Sequence, residues 1–238
     1  MSSLAIIIPC FNEEKRLDRP AITHFAQTHQ DIQIIFVDDG SFDRTCEIIG
    51  TVGSECRNIE LVQLSKNTGK GEAVRQGLIH AAKTEAFTFI GYLDADLSTS
   101  FEEFYNMYTY ASKENADFIF GSRIKKLGST IQRSNLRHFA GRILVTVIDK
   151  WFQLGYYDTQ CGAKIFKPYL LKDVLKTPFY TRWFFDIELF LRLRTLDRKY
   201  TGIEYPLKKW ENKKGSKLSL LSVAGISKEI FTLLRKYK

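Results

Sequence analysis

Five short apolar runs, LAIII (4–8), IQIIFV (32–37), IELVQL (59–64), FTFIGYL (87–93) and DFIFG (117–121), punctuate the first half of the chain. They lack the polar alternation of a half-exposed strand and read as strands buried on both faces. Between them lie segments of helical length, around 13–27, 43–52, 70–83 and 101–114, so the order is βαβαβαβαβ. Crossovers of this kind are right-handed, which predicts an α/β fold: a Rossmann-like, mostly parallel sheet with helices on both faces. Ligands of such sheets bind beyond the carboxyl ends of the strands, so chemistry is expected in the residues that follow each run.

The second half reads differently. A helical pattern covers about 135–154, a polar loop carries DTQCG, and a short strand follows at 163–166. A helix opens at FDIELFLRLR, a strand is expected within GIEYPLKKW, and a last helix near 219–236. No Pro/Gly/Ser-rich linker interrupts the 238 residues, so a single domain is expected, with 1–122 and 123–238 as its two halves.

Thirty-five Lys and Arg against 27 Asp and Glu leave a formal charge of +8, which suits an anionic partner. No run approaches the roughly 18 consecutive apolar residues of a membrane-spanning helix. The opening MSSLAIIIPC lacks a basic segment and a cleavage site, so a cytosolic location is expected. Cys10, Cys46, Cys56 and Cys161 have no metal-ligand spacing and too small a number for a disulfide framework, so they are expected as free thiols. Cys161 has no histidine near it in sequence and reads as a packing residue. The histidines at 24, 29, 80 and 138 likewise show no ligand spacing.

Acidic residues crowd the strand ends. Asp94 and Asp96 stand two apart after the fourth run, so in an extended chain both carboxylates point to one side. Two hard oxygen ligands side by side suit Mg²⁺ or Mn²⁺ carrying a phosphorylated ligand; capping of the helix near residue 101 is the structural alternative. Asp38 and Asp39 precede Gly40-Ser41 and suit either a ribose or base contact or a turn. Glu13 and Glu14 are placed where acids favour a helix start.

The motifs IIIPCFNEE, VDDGS, NTGKGEAVRQG, LDADLS and FGSR, in this order and spacing, resemble the inverting family-2 glycosyltransferases of GT-A fold. DTQCGAKIF, RWFFDIEL and GSKLS look like the polyprenyl-phosphate branch of that family, especially its dolichyl-phosphate β-glucosyltransferases. The resemblance runs from about Leu4 to Ser219. It implies a nucleotide held by Pro9, Phe11 and Glu13 near base and ribose, Asp39 on the base edge with Asp38 alongside, and Lys70 approaching the nucleotide. Asp94, Ala95 and Asp96 match the DxD motif that binds a divalent metal on the donor diphosphate. In mannosyl relatives a Gln two positions after the second Asp helps with the metal; Ser98 stands here.

Arg123 and Arg133 match arginines that bind lipid phosphate in relatives, and guanidinium forks suit phosphate oxygens. Lys217 would add to this cradle. For the carboxylate near the anomeric carbon Asp158 is expected, with Asp186 and Glu188 as competitors; Asp186 also suits a helix N-cap. Relatives often carry a terminal membrane helix, and none stands in these residues, so membrane access is expected through amphipathic surface or a membrane-protein partner. The stripe Leu136, Phe139, Ile143, Val147, Trp151, Leu154 and the one of Leu220, Val223, Ile230, Phe231, Leu234 suit either core packing or a membrane surface.

These readings predict a glucosyl transfer from UDP-glucose to a polyprenyl phosphate at the cytosolic face of a membrane, with GDP-mannose or a saccharide acceptor as alternatives. A nicotinamide dehydrogenase is disfavoured because Val74 occupies the third glycine position after Gly69-Lys70-Gly71. A non-enzymatic basic module is disfavoured too: no nucleic-acid motif is present, and the acidic strand ends repel phosphate without a metal.

Overall fold

In the computed structural model, residues 4–132, 151–213 and 223–238 are described. The first half follows the expected order: β1 (Leu4–Cys10), α1 (Arg19–Thr28), β2 (Ile32–Asp38), α2 (Thr45–Glu55), β3 (Ile59–Gln63), α3 (Lys70–Ala82), β4 (Phe89–Leu93), α4 (Phe101–Lys113) and β5 (Phe118–Ser122). Helix α1 starts later than its apolar pattern. Residues 13–17 form a turn, with Arg16 and Leu17 N–H donating to the Glu13 carbonyl, and Asp18 caps the Ala21 N–H at 3.1 Å ahead of Pro20.

The remainder adds β6 (Thr130–Gln132), β7 (Ala163–Phe166), α5 (Pro168–Val174), α6 (Phe185–Arg194), β8 (Gly202–Pro206), β9 (Lys209–Glu211) and α7 (Val223–Tyr237). The expected strand in GIEYPLKKW is therefore two. Pro206 ends β8, which pairs with β5, while β9 crosses to pair with β6. Most of the helical pattern at 135–154 lies outside the described residues.

The main sheet has seven strands in the order β3-β2-β1-β4-β7-β5-β8. All pairings are parallel except those of β7, which inserts antiparallel between β4 and β5. Successive strand residues face opposite sides, so β1 feeds two cores. Leu4, Ile6 and Ile8 pack with Phe25, Val52, Phe101 and Phe104 of α1, α2 and α4. Ala5 and Ile7 pack with Val74, Leu78, Leu170 and Leu189 of α3, α5 and α6. Helix α7 closes a third cluster through Leu233 against Phe184, Ile187 and Leu191.

The order reverses at β1: β2 and β3 lie on one side of it and β4 on the other, which makes β1/β4 the switch point where such sheets bind ligands. The β1–β4 ladder ends at Ile7 opposite Tyr92, before either strand does. Pro9, which cannot donate to a ladder, sits beyond that end and faces only β2 through Val37. The strands separate there, and the crevice opens onto the residues after Cys10 and Leu93.

Candidate functional site: the switch-point crevice

The loops after β1 and β2 are stitched together. Asn12 N–H donates to Ser41 Oγ at 2.9 Å, Phe42 N–H to Asn12 Oδ1 at 3.0 Å, and Glu13 N–H to Thr45 Oγ1 at 2.8 Å. Asp38 accepts from Ser41 N–H at 3.1 Å, so the first acid of the pair braces its own turn. Asp39 reaches the next loop instead, accepting from Thr68 N–H (2.7 Å), Thr68 Oγ1 (2.8 Å) and Gly69 N–H (2.7 Å). Gly69, at φ +98, then opens α3, which points the first turn of that helix and Lys70 at the crevice. Phe11 and Phe42 meet edge to face at 6.0 Å, and Phe42 is 85% exposed, an aromatic lip beside these acids.

Asp94 and Asp96 do not lie on an extended strand. The chain turns at once, with Leu97 at φ 50 and its N–H donating to the Asp94 carbonyl at 3.0 Å. Turning, rather than strand alternation, sets the two carboxylates, and each has its own cation. Lys70 Nζ lies 2.5 Å from Asp94 Oδ1, and Arg16 Nη2 lies 2.9 Å from Asp96 Oδ2. Arg16 also reaches Glu13 Oε2 at 3.3 Å, tying the first strand end to the fourth. Helix capping falls to Ser100, whose Oγ accepts from Glu103 N–H at 3.2 Å. Burial works against the Lys70 ammonium, but Asp94, Asp186 and Asp96 outweigh it and raise its pKa, so it is charged throughout the physiological range.

These residues suit a divalent cation. Asp94 Oδ1 is sealed from solvent without a well-formed hydrogen bond, and the Lys70 and Arg16 side chains facing the pair are 42% and 20% exposed, so both have room to move aside. Among the described residues no third His, Cys, Asp or Glu joins them as a ligand group, which leaves further positions to water and phosphate oxygen. Ser98 is engaged by its backbone, its carbonyl accepting from Glu211 N–H at 3.0 Å in β9. Glycine at 162 is a requirement of this arrangement: a Cβ there would overlap the Asp94 carboxylate, while the Gly162 carbonyl accepts from Asp94 N–H at 3.0 Å.

The three candidate carboxylates of the second half each meet a cation, fully or nearly buried for Asp186 and Glu188 and partly exposed for Asp158. Asp158 is held by the Arg123 fork through Nε and Nη2, both at 2.6 Å, and by Arg123 N–H at 3.0 Å. Glu204 fixes its backbone by accepting from Tyr157 and Asp158 N–H at 2.9 and 2.8 Å. Asp186 is not the N-cap of α6, a place taken by Phe184; its carboxylate turns inward to accept from Lys164 Nζ and Tyr92 OH. Lys164 is fully buried and also donates to the Cys161 carbonyl at 2.7 Å, fixing the loop that carries Asp158 and Gly162. Glu188 is fully buried and takes Tyr180 and Thr181 N–H, Thr181 Oγ1 and the Arg192 guanidinium. It ties the 178–182 loop to α6.

Burial pushes the Cys161 thiol up to about 11, against a smaller lowering by Arg123, so it stays protonated at neutral pH as a packing residue does. All four cysteines are free thiols, as expected. Arg133 and Lys217 lie outside the described residues. In α7 the expected stripe divides: Ile230 and Leu234 pack on the third cluster with Leu233, while Phe231 is 67% exposed.

Four residues at the crevice escaped the sequence reading: Arg16, Tyr92, Lys164 and Gly162. Lys164 carried a signal, because a lysine inside the apolar run AKIF must find a buried partner. Arg16 carried none, since its partner Asp96 is 80 residues away.

A switch-point crevice with an Asp-X-Asp pair beneath a lysine-bearing helix start defines the class: the fold is that of GT-A glycosyltransferases, which work on nucleotide sugars. Solved structures support the fold. Glucosyl-3-phosphoglycerate synthase of Mycobacterium tuberculosis, in complex with Mn²⁺, UDP and phosphoglyceric acid, superposes with TM-score 0.66 at 16% identity, over 98% of this chain and 77% of that one. A mannosyltransferase of Pyrobaculum calidifontis, with GDP-Man and Mn²⁺, gives 0.59 at 16% identity, over 90% and 58%. The sequence profile described as glycosyl transferase family 2 matches residues 5–175, and the chain belongs to that family. It is similar to a dolichyl-phosphate beta-glucosyltransferase of Trichomonas vaginalis, 30% identical over 98% of this chain and 72% of the relative. The protein of that name in Dictyostelium discoideum is 27% identical over 98% of this chain and 74% of its own length. Among the described residues no helix is long and apolar enough to cross a membrane.

Proposed function

We propose that this protein transfers glucose from UDP-glucose to a polyprenyl phosphate of dolichyl type, with inversion, as a peripheral enzyme on the cytosolic face of a membrane. The observation that carries this is the presence of two opposite devices at the carboxyl ends of strands of one sheet: a carboxylate pair with solvent-reached cations after β4, and a guanidinium, Arg123, after β5, bound to the DTQCG loop through Asp158. The first suits a metal-bound diphosphate and the second a phosphate monoester. The names of the relatives, alike over nearly the whole chain, support glucose and dolichyl phosphate as the substrates.

On this reading Phe11, Phe42, Asp38 and Asp39 border the nucleoside, with Pro9 leaving the strand end open and Glu13 orienting Arg16. Asp94 and Asp96, flanking Ala95, hold Mg²⁺ or Mn²⁺, which supplies charge stabilisation to the departing diphosphate. Lys70, released from Asp94, adds its charge to the same oxygens. The acceptor phosphate carries about −1.5 to −2 charge at pH 7 and is a nucleophile without a base. Its oxygen bonds to the anomeric carbon as the bond to the UDP oxygen breaks on the opposite face, which inverts the centre. Arg123, Arg133 and Lys217 orient that phosphate, and Asp158 stabilises the positive charge that develops on the sugar. Asp186 and Glu188, whose charges are met by Lys164 and Arg192, shape the site and do not react.

The test is transfer of radiolabel from UDP-glucose, with GDP-mannose in parallel, into organic-extractable product with Mg²⁺ and a polyprenyl phosphate. Label from UDP-glucose is expected. Lipid label from GDP-mannose alone would move the assignment to a mannosyl donor, and none from either would overturn the acceptor.

A further inference from the structure

The two groups nearest the acceptor face are bound to each other. Arg123 and Asp158 form a two-pronged ion pair, with side chains 19% and 6% exposed, and the Arg123 backbone N–H adds a third bond to the same carboxylate. In this state the guanidinium offers its best fork to a carboxylate rather than to a phosphate, and both Asp158 oxygens are covered by that fork, so the carboxylate is not presented to a water molecule. The surroundings are unfinished. The hydroxyls of Ser122 and Thr159, beside Arg123 and Asp158 in sequence, are buried (residues 0% and 3% exposed) and have no hydrogen-bond partner among the described residues. The Arg123 guanidinium also stacks over Trp210, 5.4 Å from the ring centre, a platform on which it can turn without losing all its contacts.

Resting on the acceptor proposed above, we infer that the Arg123–Asp158 pair is a latch that decides between a phosphate acceptor and water. With the latch closed, Asp158 does not take a proton from water, and bound donor is spared. A phosphate monoester, with more charge than a carboxylate, draws the Arg123 fork away and gains the hydroxyls of Ser122 and Thr159; only then is the Asp158 carboxylate uncovered beside the sugar. The reaction held back is hydrolysis. In it the water oxygen bonds to the anomeric carbon, the bond to the UDP oxygen breaks, the water proton passes to Asp158, and UDP and free glucose leave. The phosphate acceptor has no such need of a base, so opening the latch favours transfer.

Two variants test this. Arg123→Gln should release free glucose from UDP-glucose, without acceptor, at least tenfold faster than wild type, whereas a damaged site would release it more slowly. Adding Asp158→Asn to that variant should return the rate to the wild-type level or below. Asp158→Asn alone frees the guanidinium, so farnesyl phosphate measured by titration calorimetry should bind several-fold tighter than to wild type. This arm needs no turnover and stands if Arg123→Gln fails to fold. Acceptor-free hydrolysis by a folded Arg123→Gln protein at or below the wild-type rate, or equal or weaker farnesyl phosphate binding by Asp158→Asn, would overturn the latch. Failure of the acceptor assignment is a separate result, seen as wild-type protein that neither binds farnesyl phosphate nor labels a polyprenyl phosphate.

Discussion

The acids on the two sides of the crevice are handled in opposite ways. After β1 to β4, Asp38 and Asp39 accept from backbone N–H groups and short hydroxyls of adjoining loops, and Asp94 and Asp96 face side-chain cations that solvent reaches. In the second half Asp158, Asp186 and Glu188 are matched by Arg123, Lys164 and Arg192, whose side chains are 19%, 0% and 9% exposed. An exposed ion pair is worth little and exchanges partners readily, whereas a buried pair is stable only while both members remain. On the proposed reading the Asp94 and Asp96 pairs can exchange their cations for a metal and a diphosphate, while Lys164–Asp186 and Arg192–Glu188 hold the second half in shape. Arg123–Asp158, whose guanidinium is about as exposed as that of Arg16, belongs with the pairs that can open.

The sharpest break of that contrast is Lys164→Met, which leaves the Asp186 carboxylate buried and unpaired. It should lower unfolding stability by about 3–5 kcal/mol in urea, with much of the loss recovered in Lys164→Met/Asp186→Leu. A loss below about 1 kcal/mol would mean that this pair behaves like a surface one. Asp96→Asn on the donor side should do the reverse, reducing metal-dependent turnover by about 10²–10³-fold while changing stability by no more than about 0.5 kcal/mol.

Gly162→Ala joins the two sides, because its methyl group would push the Asp94 carboxylate. About 1–3 kcal/mol of stability and about tenfold in turnover should be lost together. The smallest effect belongs to Cys161, whose folded-state thiol is raised to about 11 from an ordinary 9. Its contribution to stability is complete below pH 9 and is lost as pH rises through 11, so Cys161→Ala should flatten that part of the stability profile measured by thermal unfolding. Iodoacetamide should leave Cys161 unmodified in the native protein at pH 7.5.

Much of the first half was legible in the chain. Each strand of the first half is a local apolar run, each helix has a local start, and the acids sit within a residue or two of the strand ends. The later half was legible in pieces: AKIF as a strand and FDIELFLRLR as a helix, but not their placing. The β6–β9 pair escaped notice because three-residue strands have too little pattern, and α5 because its seven residues carry less than two clear turns of periodicity. Asp94 and Asp96 were singled out by their place at a strand end, although the turn after Leu93 replaces the extended geometry first expected of them.

What the sequence by itself determined is the alternation of buried strands and helices and the presence of metal-suited and phosphate-suited residues at the strand ends, because both are encoded within a few neighbouring positions. The tertiary structure alone decided which charges are already cancelled. Arg123 and Asp158 are 35 residues apart and Lys164 and Asp186 are 22 apart. They meet because β7 runs antiparallel between β4 and β5. Strand order of that kind is set by long-range packing of both sheet faces, to which no local periodicity is sensitive.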